Sequence, residues 1–223
     1  MINLLFAFAG IAFFLIAGEV LWNKKILKGE YARKFVHITS ATFVAFWPLF
    51  ISNLQIVIIS LFFILALIIT KKLKLFKSIR SIKRASYGEI WYALGIAVSA
   101  FLFKEPEVFA VAVLTMALAD GFAAVVGVSL KKKAGAFTIN GQQKSLAGTL
   151  TFMVIAFLIN FIYWATAGNE FLPSPLNGWA FISMLAFGIS SILALAELVS
   201  PKGSDNIIVP VLAGVLVLLP SMV

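Results

Sequence analysis

Stretches of apolar side chains long enough to cross a bilayer recur along nearly all of this 223-residue chain. A spanning helix needs about 20 mainly apolar residues. Eight segments meet or approach that requirement, at about 2–22, 35–51, 54–70, 88–103, 108–129, 148–167, 178–199 and 206–221. Hydrophobic residues make up 62% of the sequence, where soluble domains average about 45–50%. The chain therefore reads as all-α: a polytopic integral membrane helix bundle of about eight transmembrane helices, one domain over residues 1–223. The first segment is expected to persist as a helix. It lacks a basic leading region, and Lys24, Lys25 and Lys28 follow it where a cleavage site would stand.

The connections separate by charge. Residues 23–34, 71–84, 131–147 and 200–205 carry every Lys and Arg of the chain except Lys104. If eight helices alternate, these four connections share one side of the membrane, and the positive-inside rule makes that side cytoplasmic. Both termini then lie outside. An excess of 18 basic over 9 acidic residues orients such loops and does not imply nucleic acid. With no Cys, disulfides, thiol nucleophiles and Cys-ligated zinc are excluded, and the single histidine, His37, argues against a His-built metal site. The outer connections are short, whereas the inner ones are long and rich in Gly, Ser and Thr, so polar chemistry belongs on the inner face. No repeat of two related halves is visible.

Polar residues inside the apolar segments demand an explanation. Asp120 in "ALADGFAAVVG" would cost roughly 2.5–3.5 kcal/mol at the centre of a spanning helix. Its helix face carries Val113, Met116 and Ala117 on one side and Ala123, Ala124 and Gly127 on the other. In "ARKFVHITSA", Arg33, Lys34 and His37 share one side of a helix start. Lipid headgroups would explain the two cations, but His37 lies a turn deeper and needs a hydrogen-bond partner. Glu89 in "YGEIWYALG" either favours a helix N-terminus or joins a site. In "TINGQQKSLAGTLTF", Lys144, Ser145, Gly148 and Thr149 fall at a helix start, where free N–H groups and the dipole attract an anion. The P-loop spacing is absent. "LALAELVSPKGSDNIIVP" supplies Glu197, Asp205 and Asn206, with Asp205 either capping the last helix or facing a site. Four carboxylates beside Arg33, Lys34 and Lys144 are the inventory of a Mg²⁺–nucleotide site. Depth is the difficulty. In a straight helix Asp120 lies about 14 Å from the inner end at ~1.5 Å per residue. A cavity reaching that far is expected, in preference to a break near Gly121 or Gly127.

The motifs "RKFVH", "YGEIWYALG", "ADGFAAVVG", "KSLAGTLTF" and "ELVSPKGSDNIIVP", in this order over residues 30–210, resemble the polyprenol kinase family. That family includes phytol kinases, dolichol kinases and CTP-dependent diacylglycerol kinases. The resemblance implies γ-phosphoryl transfer from CTP, with Mg²⁺, to a lipid alcohol of the phytol, geranylgeraniol or polyprenol type held in the bilayer. It implies a catalytic group of Asp120, Arg33, Lys34 and His37. Nucleotide and phosphate contacts fall to Lys144, Ser145, Gly148, Thr149, Gly121, Gly127 and Asn206, and metal contacts to Asp120, Glu89, Glu197 and Asp205. Asp120 can serve as metal anchor or as acceptor of the alcohol proton. Ala119 departs from the Gly that many members have before this Asp.

Two other readings use the same residues. A CTP-using lipid cytidylyltransferase would expel pyrophosphate, but its Asp- and Gly/His-rich signature near the C-terminus is not found. A proton-coupled transporter would use Asp120 and Glu197 as relays, but outer-half charges to complete a path are missing. The topology is testable directly because the chain has no Cys. Single Cys residues replacing Ser52, Ser78, Ser174 and Ser204 are expected to react with impermeant reagent from the cytoplasmic side only at 78 and 204.

Overall fold

The computed structural model describes residues 2–73, 87–171 and 178–222. Most of the basic stretch at 71–84 and of the connection at 168–178 lies outside them. Among the described residues nine α-helices run as α1 (Ile2–Asn23), α2 (Glu30–Ala45), α3 (Asn53–Lys72), α4 (Gly88–Leu102), α5 (Pro106–Leu114), α6 (Gly121–Leu130), α7 (Leu146–Phe171), α8 (Trp179–Val199) and α9 (Asp205–Leu218). A π-turn over Thr115–Asp120 joins α5 to α6 into one continuous helix. Each of the eight apolar segments thus carries a helix. Among the described residues, five are long and apolar enough to cross a membrane: α1, α3, the α5–α6 span, α7 and α8. The chain is an all-α polytopic membrane bundle.

Local sequence sets several helix ends. Pro106 occupies the first turn of α5, where a missing N–H costs nothing. Ser200 ends α8 in extended backbone because Pro201 follows it. The second helix departs from its expected 35–51. It starts at Glu30 and ends at Ala45, followed by a short 3₁₀ turn over Trp47–Leu49. Hydropathy places the start too late because Glu30, Arg33, Lys34 and His37 sit on the helix itself, facing protein.

The α5–α6 span is the central element, with 67% of its apolar stretch buried against 17% for α1 and for α3. Phe109, Met116 and Ala117 on this span belong to one core with Trp164 of α7 and Val209 of α9. In lipid, helices associate through close packing and not through the hydrophobic effect, so small residues matter at crossings. Gly95 of α4 lies directly against the backbone carbonyl of Asn206 on α9, and Gly121 of α6 lies against Ile38 of α2.

One feature is not helical. Strands β1 (Ala136–Ile139) and β2 (Gln142–Ser145) form an antiparallel hairpin between α6 and α7, with Ile139 opposite Gln142. The two turn residues, Asn140 (φ 50°) and Gly141 (φ 72°), both take positive φ, as the tight turn favoured by Asn-Gly requires. Leu146 N–H then bonds the carbonyl of Gly135 at 3.1 Å and closes the base. The expected polar loop is therefore a hairpin.

Gly95→Ala is expected to destabilise the bundle by about 1–3 kcal/mol, since its methyl would collide with backbone that cannot rotate away. Gly188→Ala, with open space at its Cβ position, is the control. Thermal unfolding in detergent compares the two.

Candidate active site

Helix α2 and the π-turn meet at a buried charge pair. Lys34 Nζ pairs with the Asp120 carboxylate, at 2% and 8% side-chain exposure. The wide turn prepares the position. Gly121 N–H bonds the carbonyls of Ala117 and Leu118, and the Met116 carbonyl accepts from His37 Nε2 at 3.1 Å. The same His37 nitrogen lies 3.4 Å from Asp120 Oδ2. A π-turn is uncommon and concentrates at functional sites. Here it carries the Met116 carbonyl, which holds the imidazole beside the carboxylate.

The hairpin brings a second pair. Lys144, on β2, pairs with the carboxylate of Glu197 on α8, and its Nζ also donates to the Glu197 carbonyl at 2.9 Å. Two further bonds hold the hairpin to the end of α8: Asn140 Nδ2 donates to the Val199 carbonyl at 2.8 Å, and Gln142 Nε2 to that of Ser200 at 2.7 Å. These carbonyls belong to a helix end that has no intrahelical donors left. At the start of α7, Gly148 N–H donates to Ser145 Oγ at 3.1 Å, an N-cap. Arg33 pairs with Glu30 one turn away on α2. Asp205 sits in the first turn of α9, where its Oδ1 accepts from Asn206 N–H at 3.1 Å.

These groups surround one polar cavity of about 500 Å³, within the usual range of ligand pockets, roughly 300–1,000 Å³. Of the residues singled out by sequence, Arg33, Lys34, Asp120, Gly127, Lys144 and Ser145 line it. So do Gly148, Thr149, Glu197, Asp205 and Asn206. The helix carrying Asp120 does not break at Gly121 or Gly127, and the cavity reaches the carboxylate. His37 and Glu89 line a second, mainly apolar cavity among α1, α2, α3 and α4. Glu89 therefore does not share a site with the other three acids, and Gly121 is used in packing on α2. Sequence reading missed Glu30, Gln142 and Gln143, which also line the polar cavity. The Asn-Gly pair at 140–141 signals the hairpin that places the two glutamines. The three-residue spacing of Glu30 and Arg33 signals the other contact.

One oxygen each from Asp120, Glu197 and Asp205 lies within 4.8 Å of the others. A hard cation bound at 2.0–2.1 Å needs adjacent ligands about 3 Å apart and opposite ones about 4.2 Å apart. The observed spread of up to 4.8 Å is close to that spacing, and the all-oxygen donor set suits Mg²⁺ and not a softer metal.

No family model matches the sequence, and no solved structure matches the chain. Among curated proteins, a phytol kinase of Synechocystis is 30% identical over 200 residues, covering 87% of this chain and 81% of that protein. This chain belongs to the polyprenol kinase family. The family membership agrees with the order of motifs along α2, α4, the α5–α6 span, α7 and α8–α9. In this polyprenol kinase relative, then, the motif-bearing helix ends surround a single cavity, except the start of α4, which faces the apolar one.

Lys34→Met is expected to cost about 3–5 kcal/mol, because it leaves the Asp120 carboxylate buried and unpaired. The double variant Lys34→Met/Asp120→Leu is expected to recover most of that loss. Unfolding in mixed micelles measures both.

Proposed function

We propose that this protein transfers the γ-phosphoryl group of CTP to the hydroxyl of an isoprenoid alcohol at the cytoplasmic face of the membrane. The observation that carries the reading is the carboxylate trio of Asp120, Glu197 and Asp205, set opposite Arg33, Lys34 and Lys144 in one cavity of an otherwise apolar bundle. Phosphoryl transfer needs little covalent chemistry from the protein. It needs the phosphates positioned and their charge neutralised.

Each group then has a task. Asp120, Glu197 and Asp205 would hold Mg²⁺, which would supply positive charge to offset that of the phosphates. Lys34 and Lys144 now pair with two of the acids, and both lie where phosphate oxygens would offer alternative partners. The N-terminus of α7, with Ser145, Gly148 and Thr149, faces the same cavity and adds a helix dipole favourable to an anion. Gly127 keeps the opposite wall low, since a Cβ there would stand 2.8 Å from Ser145 Oγ. Support for CTP comes from the motif resemblance, and support for an isoprenoid acceptor from that resemblance and from the phytol kinase relative. Support for the cytoplasmic face and for outside termini comes from the basic connections.

The test is an assay of purified protein with γ-labelled CTP, Mg²⁺ and a panel of prenols. A labelled lipid monophosphate with CDP is expected; release of pyrophosphate would instead indicate cytidylyl transfer and overturn the reading. Asp120→Asn and Asp205→Asn are each expected to lower turnover at least about a hundredfold, the scale of losing one charge-stabilising group. Asp205 separates chemistry from folding, because it makes no ion pair among the described residues. Asp205→Asn at wild-type activity would sink the metal assignment.

A further inference from the structure

The second cavity begins where the first ends. Arg33 and Asn206 line both. From there the second cavity follows one face of α2 through Val36, Ser40 and Val44, and is walled by Tyr92 and Ile96 of α4. Arg33 to Val44 is a rise of about 16 Å at ~1.5 Å per residue. Its volume is about 110 Å³, against about 500 Å³ for the polar cavity. Spread along that length, it is a narrow slot. Leu15 of α1 and Phe63 and Leu67 of α3 form its remaining side, and these two helices are the least buried of the long spans.

The wall is mainly apolar, with His37, Glu89 and Ser60 as its further polar members. Ser40 Oγ donates to the Val36 carbonyl at 2.6 Å, and Tyr92 OH lies 2.8 Å from Ser40 Oγ. Those polar atoms satisfy each other and hold nothing out to a ligand. The junction end differs. Asn206 is 3% exposed, its Nδ2 donates to the Gly88 carbonyl at 3.1 Å, and its Oδ1 is buried with no hydrogen-bond partner among the described residues. A buried acceptor left alone is uncommon and costly. It faces the point where an apolar slot meets a polar cavity.

We infer that this slot is the acceptor site and that it takes a single-chain alcohol, with the hydroxyl at the junction beside Arg33 and Asn206 and the hydrocarbon running along α2 toward the bilayer. The inference rests on the kinase reading for its chemistry. In the transfer, the alcohol oxygen bonds the γ-phosphorus as the bond from that phosphorus to the nucleoside diphosphate oxygen breaks. The hydroxyl proton is released to water in the polar cavity that adjoins the slot at Arg33 and Asn206. A narrow slot suits one chain better than two, so diacylglycerol is expected to be excluded.

Two measurements test this in lipid nanodiscs. A geranylgeraniol analogue with a diazirine on its chain is photolysed with the protein, and labelled peptides are mapped. Labels are expected on α2 and α4 within the slot and are expected to be displaced by geranylgeraniol but not by dioleoylglycerol. Separately, Ala93→Leu fills the slot and Leu67→Trp narrows its half-buried side. Each is expected to raise KM for geranylgeraniol about tenfold, a loss of ~1.4 kcal/mol, with KM for CTP unchanged. Labels confined to other helices, unchanged KM in both variants, or equal phosphorylation of dioleoylglycerol would overturn the inference. Labelling needs no turnover. A wild-type protein that phosphorylates no alcohol yet is labelled in the slot would overturn the kinase reading and leave the slot standing, whereas an active protein labelled elsewhere would do the reverse.

Discussion

A charge inside a membrane protein must be given a substitute for water, and in this bundle Lys34 and Asp120 are that substitute for each other. Neither side chain could sit where it does alone. Desolvating one ion costs several kcal/mol, and mutual attraction offsets this only when geometry and further hydrogen bonds are good. His37 provides part of that support by linking the Asp120 carboxylate to the Met116 carbonyl. Much of the architecture follows from keeping this group together. Helix α2 must carry its charges inward, the central span must widen at the right place, and small residues must let the helices close around both.

The second pair, Lys144 with Glu197, works by a different route to the same end. Here the cation arrives on a hairpin and not on a helix, and the hairpin also satisfies carbonyls at the end of α8. One short element thus supplies a charge, closes a helix terminus and forms a cavity wall. The two cavities are consequences of the same asymmetry in α2. Its first turns are polar and face the carboxylates, while the continuation of its buried face is apolar and faces α4.

Much of this was legible in the sequence, for identifiable reasons. Long apolar segments mark themselves, so the helices lie where hydropathy places them, within a few residues. The exception is α2, because a helix with a polar buried face looks like a loop to any measure of average hydropathy. Asp120 was conspicuous because charge is expensive at such depth, and Lys144, Glu197 and Asp205 because they stand at helix ends on the same side. Their pairing was not legible, since Lys34 and Asp120 are 86 residues apart and nothing local couples them. Glu89 illustrates the converse: its position one turn into a helix matches that of a site residue, and only the rotation of α4 sends it to the other cavity. The hairpin carries a strong local signal in Asn140-Gly141, but its strands are only four residues each and are polar enough to pass for a loop.

The π-turn at Thr115–Asp120 divides the central span into two halves that differ in phase. A regular helix of one residue fewer would join them smoothly, with everything beyond the turn rotated by about 100°. The half before the turn, α5, presents Phe109 and Val113 to the tightly packed core, while the half after it presents Ala123, Ala124 and Gly127 to the cavity. Without the offset, one helical stripe would have to serve both purposes. The inserted residue lets each half choose its own face, so this span can change its length by a whole turn with less harm than by a single amino acid.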